Sequence, residues 1–160
     1  MKNKRLSSNV AALWLLVLLL YSASSIGQQS NEMATEMALV KSHSDDSLQW
    51  GPCPPFMPEG CGIAVLHGDP AKNNLDIFFK VQANSAIPKH WHNSAERMIL
   101  VSGKLYVTYD GEEEQIINTG SYAFGPATKP HVGRCGDEGP CVIFIAFEEP
   151  LDAFPMVVKQ

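Results

Sequence analysis

Short β-forming runs separated by glycine, proline and Asx-Gly turns set the tightest limit on what this chain can fold into. Residues 63–67 (Ile-Ala-Val-Leu-His) read as a strand closed by Gly68-Asp69-Pro70, and residues 75–83 place Ile77, Phe78, Phe79 and Val81 in the next. Residues 85–88 lead into a strand at His90. Residues 98–102 form another, ending at Gly103, and residues 104–109 alternate polar and apolar. Asp110-Gly111 is a hairpin signal from which residues 112–117 return. Asn118-Thr119-Gly120-Ser121 turns again, residues 121–124 follow, and residues 140–147 are a nearly continuous apolar run, as in a strand covered on both faces. Strands at roughly 8–12-residue intervals imply a sandwich or barrel. Eleven prolines and twelve glycines in 160 residues suit that class and argue against a helical bundle. The expected fold is all-β.

The N-terminus implies export. Lys2, Lys4 and Arg5 precede an apolar run over residues 10–21; Ser25 and Gly27 then suit the −3 and −1 positions of a cleavage site near Gly27. The run is shorter than the ~20 apolar residues that span a bilayer, so cleavage is preferred to an uncleaved anchor. The expected organisation is a signal peptide over 1–27, a flexible polar leader over 28–49 and a folded β domain over 50–160. The mature protein would be secreted or periplasmic, with no stable membrane span. Pro52, Pro54, Pro55 and Pro58 impose an extended, turn-rich start on the domain. A net charge of −5 with no basic stripe beyond the first residues excludes nucleic acid as a partner.

Cys53, Cys61, Cys135 and Cys141 are an even number in an oxidising compartment, which points to two disulfides. Three connectivities are open. Local pairing is preferred: Cys53–Cys61 around a proline-rich loop, and Cys135–Cys141 across a hairpin turned by residues 136–140. Free buried thiols are the alternative, and the spacing does not suit a cysteine zinc site.

The chemistry concentrates in His90-Trp91-His92-Asn93-Ser94-Ala95-Glu96. Histidines at i and i+2 of a strand share a face, and a carboxylate four residues on reaches the same space if a short turn intervenes. With His131 downstream they make a candidate three-His, one-Glu site of the kind divalent transition metals favour. In phase with these residues, Met98 and Leu100 should face inward, with Phe124 and Phe144 as neighbours from other strands. Trp91 and Arg97 should face away. His67 ends a strand and reads as a surface or outlying residue, His43 as a solvated leader residue, and Glu112-Glu113-Glu114 as a solvated hairpin tip.

His90-x-His92-x3-Glu96-x6-Gly103 and Gly120-x5-Pro126-x4-His131 resemble the two motifs of the cupin superfamily, in its small single-domain (type 2-like) bacterial form. The resemblance covers about residues 75–147, with residues 63–70 similar to a lead-in strand. It implies a double-stranded β-helix (jelly-roll) barrel with both motifs facing its interior. It also implies that His90, His92, Glu96 and His131 are ligands of one divalent metal (Fe, Mn, Ni, Cu or Zn), and that a homodimer can form. Three positions depart from the pattern: Asn84 and Thr128 stand where glycine is usual, and Cys135 where asparagine is usual. They bear on loop geometry, and Asn tolerates positive φ better than most residues.

Two functions fit. In the preferred one the chain is an enzyme carrying out metal-dependent oxidative, dioxygenase-like chemistry on a small organic substrate, with Glu96 doubling as proton acceptor. Tyr106, Tyr109, Tyr122 and Lys89 are further acid–base candidates. In the other, the chain is a non-catalytic module that binds or senses a small molecule or the metal itself. A purely structural metal is the third reading.

Overall fold

A computed structural model describes residues 37–156. The expected signal peptide, residues 28–36 of the expected leader and residues 157–160 lie outside the described residues. Residues 40–156 belong to one compact unit. Among the described residues eleven strands follow in order: β1 Trp50–Pro52, β2 Gly62–His67, β3 Leu75–Val81, β4 Ala86–Trp91, β5 Glu96–Ser102, β6 Lys104–Tyr109, β7 Gln115–Asn118, β8 Tyr122–Gly125, β9 His131–Cys135, β10 Cys141–Phe147 and β11 Phe154–Pro155. Among the described residues there is no helix.

The strands build two antiparallel sheets, β1-β2-β3-β10-β5-β8 and β11-β4-β9-β6-β7. This is the expected all-β jelly roll. β10 lies between β3 and β5, which explains its unbroken apolar run. Ile143, Ile145 and Phe147 face the space between the sheets with Leu75, Ile77 and Leu100, whereas Val142 and Phe144 face out and pack with Phe78 and Leu48. Each fully buried side chain of this size contributes about 1.5–3 kcal/mol over its exposed state. Packing on the outer face therefore reaches back to Leu48, just ahead of β1.

Backbone conformation explains how the motif departures are accommodated. Asn84 has φ of 62° and Thr128 φ of 60°, so both keep the left-handed turn in which glycine is usual. For the β-branched Thr128 this is a strained conformation, of order 1–3 kcal/mol. Its N–H donates to the His92 carbonyl at 2.7 Å, which holds the turn against the site.

Both preferred disulfides form, Cys53–Cys61 and Cys135–Cys141. The first closes the loop between the paired strands β1 and β2. The second does not bridge a hairpin as expected: β9 and β10 belong to different sheets, so the bond ties one sheet to the other. Register corrects the inward neighbours too. Phe144 packs on the outer face and Phe124 is exposed, because β10 and β8 turn their alternate residues, Ile145 and Ala123, toward the core.

Candidate metal centre

Four strands bring the site together. His90 of β4 pairs in register with His131 of β9, and His131 with Tyr109 of β6. His92 follows just after β4. From the facing sheet Glu96 opens β5, paired with Phe147 of β10 and Gly125 of β8. His90, His92, Glu96 and His131 are all buried, at 4–7 % exposure. One ring nitrogen from each histidine lies within 4.8 Å of the others, a grouping that could hold a metal ion. Glu96 closes the ring, with Oε1 3.5 Å from His92 Nε2 and Oε2 3.7 Å from His131 Nε2.

The opposite ring nitrogens fix the tautomers. Nδ1–H of His90 donates to the Pro88 carbonyl at 2.7 Å, that of His131 to the Lys129 carbonyl at 3.2 Å, and that of His92 to the Asp152 carbonyl at 2.5 Å. A carbonyl only accepts, so each Nδ1 carries the proton and each Nε2 presents its lone pair to the centre. Carbonyl partners of this kind orient metal-ligating imidazoles. His92 Nε2 has no hydrogen-bond partner.

Burial disfavours the charged form of two of the rings. Burial pushes the His90 pKa down to about 3, helped by His131 and His92. Burial also lowers that of His131, with the Glu96 charge opposing the shift. Imidazoles with a carboxylate opposite are a ready donor set for a borderline divalent cation, and the orphaned His92 nitrogen is what such an ion would satisfy. On both counts the residues fit a metal.

Of the acid–base candidates only Tyr109 reaches the site. Its ring lies 4.8 Å from that of His131, and its hydroxyl stands beside the Glu96 carboxylate without a well-directed partner. Burial foremost, and then the Glu96 charge, push the phenol pKa up, so it stays protonated. Lys89 pairs with Asp110, Tyr106 stacks under Arg134 and Tyr122 is exposed. Trp91 stacks on Phe154, and Arg97 pairs with Glu148, both away from the histidine cluster as expected. His67 lies exposed at the end of β2, outside the site.

Three contributors escaped the sequence reading. Asp152 braces His92 through its carbonyl, while its carboxylate accepts from the Asn93 N–H and side-chain amide. Gly125 leaves room for Tyr109 and Glu96, and Phe147 stands 5.7 Å from the His92 ring. No local signal marks Asp152, 60 residues from its histidine. The centre opens into a cavity of about 430 Å³ between the sheets, rimmed by the Cys53 loop and residues 151–153.

The family model described as "Cupin domain" matches residues 77–147. Those residues, the core of the barrel, form a cupin domain. No curated protein matches the sequence of this cupin. Solved structures of like fold include the polyketide cyclase RemF from Streptomyces resistomycificus, at TM-score 0.62 and 16% identity over 76% of this chain and 89% of that one. The DMSP lyase DddQ from Ruegeria pomeroyi DSS-3 gives 0.58 and 18%, over 69% of this cupin and 61% of the lyase. Oxalate decarboxylase from Bacillus subtilis gives 0.55 and 17%, over 77% of this cupin but only 34% of that enzyme. At these identities the likeness is one of fold.

Proposed function

We propose that this cupin holds one divalent transition metal on His90, His92, Glu96 and His131 and serves metal-dependent, dioxygenase-like oxidation of a small organic substrate. The carrying observation is the convergence of one ring nitrogen from each histidine, with every Nδ1 bonded to a backbone carbonyl. A bound metal would supply Lewis acidity and open positions for a substrate oxygen or dioxygen, a role that Fe, Mn, Ni, Cu or Zn suits to differing degrees. The protein's own residues do the rest. Glu96 is the ligand that doubles as proton acceptor, and the protonated Tyr109 phenol beside it is a donor to that carboxylate or to substrate. The apolar walls exclude water from the reacting atoms.

The fold neighbours are a polyketide cyclase, a DMSP lyase and an oxalate decarboxylase, which supports a small-molecule substrate here. Two disulfides support an oxidising compartment, in line with a secreted or periplasmic protein whose signal peptide (1–27) and leader (28–49) precede the barrel domain (50–160).

The test is elemental analysis of protein exported into an oxidising compartment, beside His92→Ala, followed by oxygen uptake over a substrate panel. About one equivalent of a redox-active metal, lost in the variant, with oxygen consumed on some substrate, is the expected result. Stoichiometric metal with no turnover would favour the binding-module reading. A folded protein that retains no metal after reconstitution would overturn the assignment.

A further inference from the structure

We propose that the site takes a molecule with a single oxygen-donor head group and an uncharged, apolar body, the head at the histidines and the body running down the barrel. This rests on the metal reading above and names the substrate class that reading leaves open.

Strand register stacks the interior in layers. Glu96 pairs with Phe147, and Tyr109 with His131, in the layer of the ligands. Two residues further along the strands, Met98, Ile145 and Ile77 stand side by side. Two residues beyond these come Ile143 and Phe79, with Leu105 on the facing sheet. Each step is about 6.6 Å, so two steps carry the apolar wall roughly 13 Å beyond the ligands. All six of these side chains line the cavity.

Polarity is confined to one end. The titratable side chains on the wall are His90, His92, His131, Glu96, Tyr109 and Asp152, and the Asp152 carboxylate is already engaged by Asn93. Among the described lining residues there is no lysine or arginine. A second carboxylate on a ligand would enter a low-dielectric wall with no cation to meet it, and a sugar would bury hydroxyls without partners. An alkyl or aryl body meets neither penalty, and it releases water from walls that offer no hydrogen bonds. The cavity of about 430 Å³ lies in the range of small-molecule sites.

The experiment uses cobalt(II)-loaded protein purified from an oxidising compartment. Cobalt uptake is followed by visible absorption. Calorimetry then measures acetohydroxamate, butanohydroxamate, hexanohydroxamate and octanohydroxamate, with a C8 hydroxamate bearing a terminal carboxylate. The expected result is affinity rising about threefold per methylene, the value of burying one CH2 less some ordering cost. The terminal carboxylate should cancel at least tenfold of the gain, roughly the penalty for an unpaired buried charge. If every hydroxamate shifts the cobalt spectrum but all bind alike, or the carboxylated one binds best, the apolar-body proposal falls while the metal site stands. If cobalt is not taken up at all, the metal reading fails and the head-group assignment with it.

Discussion

Gly125→Ala tests whether Tyr109 and Glu96 act as a unit. Gly125 faces Glu96 across β5 and β8. A Cβ built there falls far inside contact distance of the Tyr109 hydroxyl, 3.2 Å from its Cζ and 2.9 Å from Glu96 Oε2. Ordinary contacts need about 3.5 Å or more, so the hydroxyl must retreat by roughly an ångström. The ring has little freedom to do so, because it packs 4.8 Å from His131 in the same layer. Overpacking of this kind costs about 1–3 kcal/mol. Disturbing the Glu96 carboxylate should also weaken metal binding by roughly 10–100-fold. Tyr109→Phe removes the oxygen responsible for the worst contact, so Gly125→Ala should cost less in that background, with a coupling of about 1 kcal/mol or more. Urea denaturation of the four proteins of the cycle reads the stability, and competition with a chromophoric zinc chelator reads the affinity. Additivity within about 0.5 kcal/mol, or zinc affinity unchanged in Gly125→Ala, would refute the reasoning.

Acid should destabilise the metal-free protein through His90. Its pKa is 6.5 when unfolded and about 3 when folded, so below pH 6.5 the unfolded chain takes a proton that the folded one refuses. Stability is full above that point and falls by about 1.4 kcal/mol per pH unit toward pH 3, with His131 adding in the same direction. Urea melts from pH 7.5 to 4.5 should show a shallower slope for His90→Gln, and equal slopes would contradict the account. Asp152→Ala should weaken metal binding by about tenfold, the low end for an outlying partner, because the carbonyl that holds His92 is kept while the Asn93 contacts are lost. Zinc competition reads it, and an unchanged affinity would sever Asp152 from the site. Replacing Cys135 and Cys141 together by Ser should cost about 2 kcal/mol for a loop this short, read as a lowered urea midpoint under non-reducing conditions.

The sequence made the fold and the four residues that meet at the centre legible because both are written locally. Period-two alternation marks strands, and His90-x-His92-x3-Glu96 places three donors within one turn and two strand ends. What it hid depends on register and on distant pairing. Phe124 and Phe144 are large and apolar, yet β8 and β10 present them outward, and the small residues Ala123 and Gly125 face in to leave room for Tyr109 and Glu96. No side-chain preference encodes that choice; only the pairing of β8 with β5 does. Asp152 belongs to a segment that crosses to His92 after β10, and its contact is made by a backbone carbonyl that any residue could supply. The loop between Cys135 and Cys141 is short enough for a hairpin, and only the sheet order reveals that it passes from one sheet to the other.

X-ray absorption at the metal edge of the zinc-loaded protein tests the central claim most directly. Three imidazole nitrogens at about 2.0–2.1 Å and a carboxylate oxygen at about 2.0–2.2 Å are expected, with one imidazole missing in His92→Ala. A shell containing sulfur, or one of oxygens alone, or a shell unchanged in His92→Ala, would place the metal elsewhere and contradict the account.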